Sequence, residues 1–284
     1  MLTTSPINCS HEKHSASILP TSQASLEAFG VRFGIEANRP EILTRLGDFL
    51  PPIRTAARLR PSDRMYTLIT SSGDASSGDI HRLYVDSQLQ LATPDPLDLF
   101  DHVEGDLQIH LGEMTRQFVF IHAGVVAWKG TAIVIPGTSF CGKSTLVAAL
   151  LRAGALYYSD EFAVLDENGA IHPYPRRLSL RENGHQRGVR RSVESLGGRC
   201  GTEPIRPGLI LLSRYQPGAV WAPRRVAPTE AMFELVGNSL SIRHQPGTVL
   251  EVLGRLVNEA AVLRSNRGEA AETATRLLQS AFHA

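Results

Sequence analysis

The sequence predicts an α/β fold in two parts. A smaller mixed α/β unit is expected over residues 25–115 and a larger one over residues 116–284, behind a polar tail at 1–24. Two observations carry this. From residue 117 onward, strand-like and helix-like runs alternate, the pattern of a single α/β domain. Within it, the apolar run TAIVIPG passes directly into the helical KSTLVAALLRA, so one strand feeds one helix through a glycine-rich turn.

The chain has 284 residues, which suits one large domain or two ordinary ones. Hydrophobic residues make up 42% and charged residues 20%, enough to build a packed core. A net charge of +1 gives no overall pull toward nucleic acid or membrane surfaces, so neither is expected as a partner. Cys9, Cys141 and Cys200 are odd in number and far apart, which speaks against a disulfide framework or zinc knuckle and fits a reducing cytoplasm. The first twenty residues lack the apolar run of a signal peptide, and no stretch reaches the length of a membrane span. Lys13, Lys129 and Lys143 are the only lysines; every other basic residue is arginine.

In the smaller unit, FGVRFGIEA (29–37) alternates like a half-buried strand. Asn38 is placed to cap the helical EILTRLGDFL, which Pro51 and Pro52 end. MYTLIT (65–70) reads as a strand and 71–79 as a loop. HRLYV and QLQLA flank Asp86-Ser87 as a hairpin, and residues 96–115 read as an amphipathic helix. This unit carries no recognisable chemistry and reads first as structural cover.

In the larger unit, QFVFIHAGVVAW and TAIVIPG are strands joined by a tight turn at Lys129-Gly130. The helix KSTLVAALLRA ends at Gly154, a residue favoured just past a helix C-terminus. LYYS and FAVLD follow as strands. Residues 172–208, rich in Gly, Pro and Arg, read as a long loop with little regular structure. LILLSRY is a strand, TEAMFELVGN and PGTVLEVLGRLVNEA are helices, and AVLRSN and GEAAETATRLLQSAF close the chain as strand and helix.

The strand–helix junction carries the chemistry. GTSFCGKS matches G-x-x-x-x-G-K-[ST] at Gly137, Gly142, Lys143 and Ser144. Glycines let successive N–H groups turn inward on phosphate oxygens, and the helix start adds its positive end. The expected nucleotide site is Gly137, Thr138, Ser139, Phe140, Cys141, Gly142, Lys143, Ser144 and Thr145. Lys143 would reach the β- and γ-phosphates of ATP, and the Ser144 hydroxyl would ligate Mg²⁺. Cys141 reads as a spacer that can be oxidised. With no lysine after Lys143, the N-K-x-D element of GTPases cannot exist here, and SLGGRC is a poor match to an ABC-type signature. Instead Asp160 and Glu161 follow an apolar strand 17 residues beyond Lys143, which puts two carboxylates beside the loop.

This order of strand, phosphate loop, short helix and paired acids resembles the catalytic core of HPr kinase/phosphorylase, which is itself similar to ATP-dependent PEP carboxykinase. The likeness covers residues 117–170 and, more weakly, 245–284. His122, in HAGVVAWKGTAIVIPG, occupies the place of the family's histidine, with alanine inserted before the glycine. The acidic pair is Asp-Glu here and Asp-Asp in the family. RRLSLRENGHQRGVRR stands where the family carries its Gly-rich HPr-binding signature, so the chain looks more like the peptide-modifying relatives.

The resemblance implies an ATP- and Mg²⁺-dependent kinase acting on a Ser or Thr hydroxyl of a protein or peptide. A small-molecule kinase and an ATP-binding or ATP-hydrolysing module are the alternatives. It also implies Asp160 as the proton acceptor, Glu161 as a Mg²⁺ ligand and assembly into a homo-oligomer. His122 either orients Asp160, sits near the phosphate or is only a satisfied strand-start histidine. The arginines at 176, 177, 181, 187, 190 and 191 form either a solvated loop or a clamp for phosphates or an acidic peptide. The second is favoured, with Arg190 and Arg191 serving the peptide.

Overall fold

The computed structural model describes residues 22–55, 58–61, 63–71, 80–138, 141–180 and 188–280. Most of the expected tail and of the loop at 71–79 lies outside them. The described chain is mixed α/β, and its regular structure starts earlier than expected. β1 (Ser22–Ala28) begins inside the segment read as tail and pairs antiparallel with β2 (Val31–Ala37). Then come α1 (Pro40–Leu46), β3 (Arg54–Thr55), β4 (Arg64–Ile69), β5 (His81–Val85), β6 (Gln88–Thr93) and α2 (Pro96–Met114). The six strands form one sheet in the order β3-β1-β2-β4-β5-β6. Asp86 and Ser87 turn between β5 and β6 with φ of 49° and 68°, the left-handed pair that suits a two-residue hairpin.

Asn38 does not cap α1. Arg39 holds that position without a side-chain bond. Asn38 instead bridges to the end of β4, its Nδ2 donating to Thr70 O at 2.7 Å and its Oδ1 accepting from Thr70 N at 3.0 Å.

The second sheet is built from β7 (Val119–Trp128), β8 (Thr131–Pro136), β9 (Leu156–Ser159), β10 (Phe162–Leu165), β11 (Ile171–His172), β14 (Pro207–Tyr215), β15 (Arg224–Arg225) and β16 (Ala261–Arg267). Its order is β11-β10-β7-β8-β14-β16-β15, with β9 also on β7. β8, β14 and β16 run parallel; β7 is antiparallel to β8. The helices are α3 (Lys143–Arg152), α4 (Pro228–Gly237), α5 (Pro246–Glu259) and α6 (Ala270–Ser280).

Side-chain alternation along the central strands sorts the helices onto two faces. Val134, Ile210 and Leu212 join the core of α4 and α5, while Ile133, Ile135, Leu209 and Leu211 join that of α3 and α6. Central strands buried on both faces must be apolar throughout, which is why TAIVIP and LILL read as unbroken runs. A third core joins the first sheet and α2 to Phe120, Phe162, Val164 and Tyr174 of the second unit.

The stretch 172–208 is less irregular than expected. It contains a small hairpin of β12 (Leu178–Leu180) and β13 (Val189–Arg191), and a 3-10 turn at Glu194–Leu196. Among the described residues, no helix is long and apolar enough to cross a membrane.

Candidate functional site

β8 delivers the chain to Gly137, whose N–H donates to His122 O on β7 at 3.2 Å. The described part of the loop resumes at Cys141; Ser139 and Phe140 lie outside the described residues. Gly142 caps α3 in the left-handed region, at φ +89°. A Cβ there would lie 2.4 Å from Arg267 Nη2, which donates to Gly142 O at 2.8 Å. The backbone therefore requires glycine, and a Cβ would also displace the guanidinium end of Arg267. Gly142→Ala is expected to destabilise the fold by about 1–3 kcal/mol, the range for forcing such a conformation, read as a lowered melting temperature.

Lys143 opens α3 and is buried, at 6% exposure. Its Nζ curls back over the loop, donating to Gly137 O at 2.8 Å and Thr138 O at 2.9 Å, and stands 3.2 Å from His122 Nε2. Burial pushes its pKa down, partly countered by its neighbours Cys141, Glu161 and Asp160. An anion arriving at the loop would favour the charged ammonium. Ser144 is half-buried and Thr145 exposed in the first turn of α3.

The acidic pair forms the short link between β9 and β10. Ser159 Oγ pins it, accepting from Glu161 N at 3.1 Å and Phe162 N at 2.9 Å, while Glu161 O accepts from Ala123 N at 3.0 Å. The two carboxylates have different surroundings. Asp160 is 1% exposed, and Tyr157 Oη donates to its Oδ1 at 2.8 Å. Burial, reinforced by the Asp160 charge, raises the Tyr157 phenol well above its usual range, so Tyr157 remains a donor. The Glu161 side chain is 28% exposed, and its Oε1 is 3.1 Å from His122 Nε2. Burial pushes the Glu161 pKa up, but the His122 hydrogen bond and the Arg176, His122 and Lys143 charges together carry it below the ordinary glutamate value.

His122 thus faces Glu161 and Lys143, not Asp160. Its position leaves open both a place near the phosphate and a satisfied strand histidine. Its Nε2 can donate to Glu161 or accept from Lys143, but one nitrogen cannot do both at once.

Behind the pair stands Arg176. Its guanidinium lies 3.8 Å from Asp160 Oδ1, 3.7 Å from Glu161 Oε2 and 3.5 Å from Glu104 Oε1. Burial alone would lower its pKa; these carboxylates raise it above the ordinary arginine value. Glu104, 5% exposed on α2, also binds Arg190 Nη2. Arg190 Nη2 meets Asp101 Oδ1 at 2.6 Å, and its guanidinium stacks on the Phe49 ring at 4.2 Å. These contacts bear on two expectations. Arg190 is half-buried and ion-paired to α2, Arg191 is exposed, and the smaller unit reaches the site through Glu104. Arg181 and Arg187 lie outside the described residues.

Glu104 had a signal in the sequence. It falls at helical spacing among Phe100, Val103, Leu107 and Leu111, and a carboxylate on an apolar stripe needs a partner. Arg267 was one residue past the expected strand end. In register opposite Tyr215, it reaches the carboxyl end of the parallel strands, where such sheets bind ligands.

Toward a nucleoside triphosphate with Mg²⁺ the loop offers Lys143, buried and held by the Gly137 and Thr138 carbonyls, while the space over Gly142 is taken by Arg267. Among the described residues, no group of three or more His, Cys, Asp or Glu could hold a metal alone. Mg²⁺ does not ask for one; it takes one or two protein oxygens along with phosphates and water. Ser144 and Glu161 are the residues that would supply them. Comparison with family models and with curated proteins finds no match for this chain.

Proposed function

We propose that the chain is an ATP- and Mg²⁺-dependent phosphotransferase with an HPr-kinase-like core. It transfers the γ-phosphoryl group to a serine or threonine hydroxyl of a protein or peptide. The observation that carries this reading is the meeting of Lys143 Nζ and Glu161 Oε1 at His122 Nε2, at the mouth of a G-x-x-x-x-G-K-S loop.

The roles follow from position. Lys143 would hold the β- and γ-phosphates and the charge spread over the transferring group. Glu161 and Ser144 would hold Mg²⁺, which neutralises charge between the phosphates. Asp160 would take the hydroxyl proton as the new O–P bond forms and ADP leaves with the electrons of the broken one. Its hydrogen bond to Tyr157 and its ion pair with Arg176 both use Oδ1, and neither engages Oδ2. A base contact absent from a ligand-free site can form in the complex.

A second reading, ATP hydrolysis, rests on Glu161, the more exposed acid of the pair and the one close to Lys143, which could orient water. Incubation with γ-labelled ATP, Ser/Thr peptides and cell extract separates the readings. Label on protein or peptide is expected. Label on a small molecule would favour a metabolite kinase, and free phosphate alone the hydrolytic module.

A further inference from the structure

A cavity of about 320 Å³ opens beside the loop, on the β14 side. That volume lies within the range of small-molecule sites. It is lined by Gly137, Thr138 and Cys141 of the loop, by Ser213 of β14, and by Phe233 and Asn238 of the α4 segment. β8 lies between β14 and β7 in the sheet.

Two of these residues lack a structural purpose. Phe233 is 82% exposed, the most exposed large apolar side chain among the described residues. Its helix neighbours Ala231 and Leu235 are fully buried, so α4 packs without it. Ser213 Oγ is the reverse: it is buried, without a hydrogen-bond partner among the described residues, and shielded from the cavity. The wall is firmly placed. Asn238 Nδ2 donates to Glu234 O at 2.7 Å, and Asn238 O accepts from His122 N at 2.8 Å.

We infer that this cavity binds the purine base of the nucleotide, with Phe233 stacking on one face. This rests on the nucleotide reading above. The phosphate chain would cross the loop, with its reactive end toward Lys143 and Glu161 and its nucleoside end toward β14. An exposed aromatic ring and a phosphate loop around one cavity match the base and the phosphates of such a ligand.

The test compares Mg·ATP with inorganic tripolyphosphate plus Mg²⁺ by calorimetric titration. Wild type should bind ATP more tightly than tripolyphosphate. Phe233→Ala should weaken ATP roughly 5- to 100-fold, the range for removing one aromatic face under a base, and leave tripolyphosphate unchanged. Phe233→Trp should restore ATP binding. Because Phe233 is exposed, loss of fold is not expected, and an unchanged urea midpoint would verify it. Equal affinity of wild type for the two ligands, or ATP affinity indifferent to Phe233→Ala, overturns the base site while the loop reading stands. A raised acceptor KM at unchanged ATP affinity also overturns it and gives the cavity to the acceptor. Binding of neither ligand sinks the nucleotide reading itself.

Discussion

Arg176→Met is expected to destabilise the protein by about 3–5 kcal/mol, the usual result of removing one partner from a buried ion pair. The size follows from what is left behind. Asp160, at 1% exposure, would keep only the Tyr157 hydroxyl, and Glu104, at 5%, only Arg190. Methionine fills similar space, so the loss is electrostatic more than one of packing. Urea denaturation at neutral pH measures it, and a midpoint equal to wild type would remove Arg176 from any structural role. Glu104→Gln should lose less, because Arg176 retains Asp160 and Glu161.

The same network sets a pH dependence. Glu161 has a folded-state pKa below its ordinary value. A depressed carboxylate binds fewer protons folded than unfolded, so its stabilisation is present above the ordinary glutamate value and fades as pH falls through the folded one. The wild type should therefore lose stability on acidification over that window. Glu161→Gln should show a shallower decline in the same titration, followed by urea midpoint.

Much of the larger unit was legible because its strands are buried on both faces and must be apolar throughout, as in TAIVIP and LILL. The strand-to-helix junction was legible because Gly142 takes the left-handed turn that opens α3. The network behind it was not. Arg176 sat in a stretch whose composition says only loop, and Glu104 lies 72 residues away in sequence from it, on a helix of another unit. Nothing local couples them; the fold brings α2 against β10 through a shared apolar core, and the ion pairs form at its margin. β1 was missed for a related reason. Its burial is only partial over Ser22–Ser25, so its residues carry little apolar alternation. The pairing with β2 holds it in place.

The assignment of the two acids decides the chemistry. If Asp160 takes the acceptor proton, Asp160→Asn keeps a similar shape and an acceptor for Tyr157 but cannot bind that proton. Transfer should fall by about 10² to 10⁴, the typical worth of general-base help, while Mg·ATP affinity stays near wild type. The variant's stability must be measured alongside, since Arg176 loses one of its three carboxylates, and a comparison under conditions where both proteins are fully folded isolates the chemical loss. Glu161→Gln should act differently. It removes a charge 3.1 Å from His122 Nε2 and the carboxylate proposed to hold Mg²⁺, so it should raise the Mg²⁺ needed for half-maximal rate. Lys143→Ala should weaken binding and transfer together, because the ammonium is proposed to serve both. Asp160 is not the base if Asp160→Asn transfers phosphate at the wild-type rate. Nor is it if Glu161→Gln alone abolishes turnover with ATP still bound. Either result would move the proton to Glu161, whose contact with His122 provides a route to carry it away.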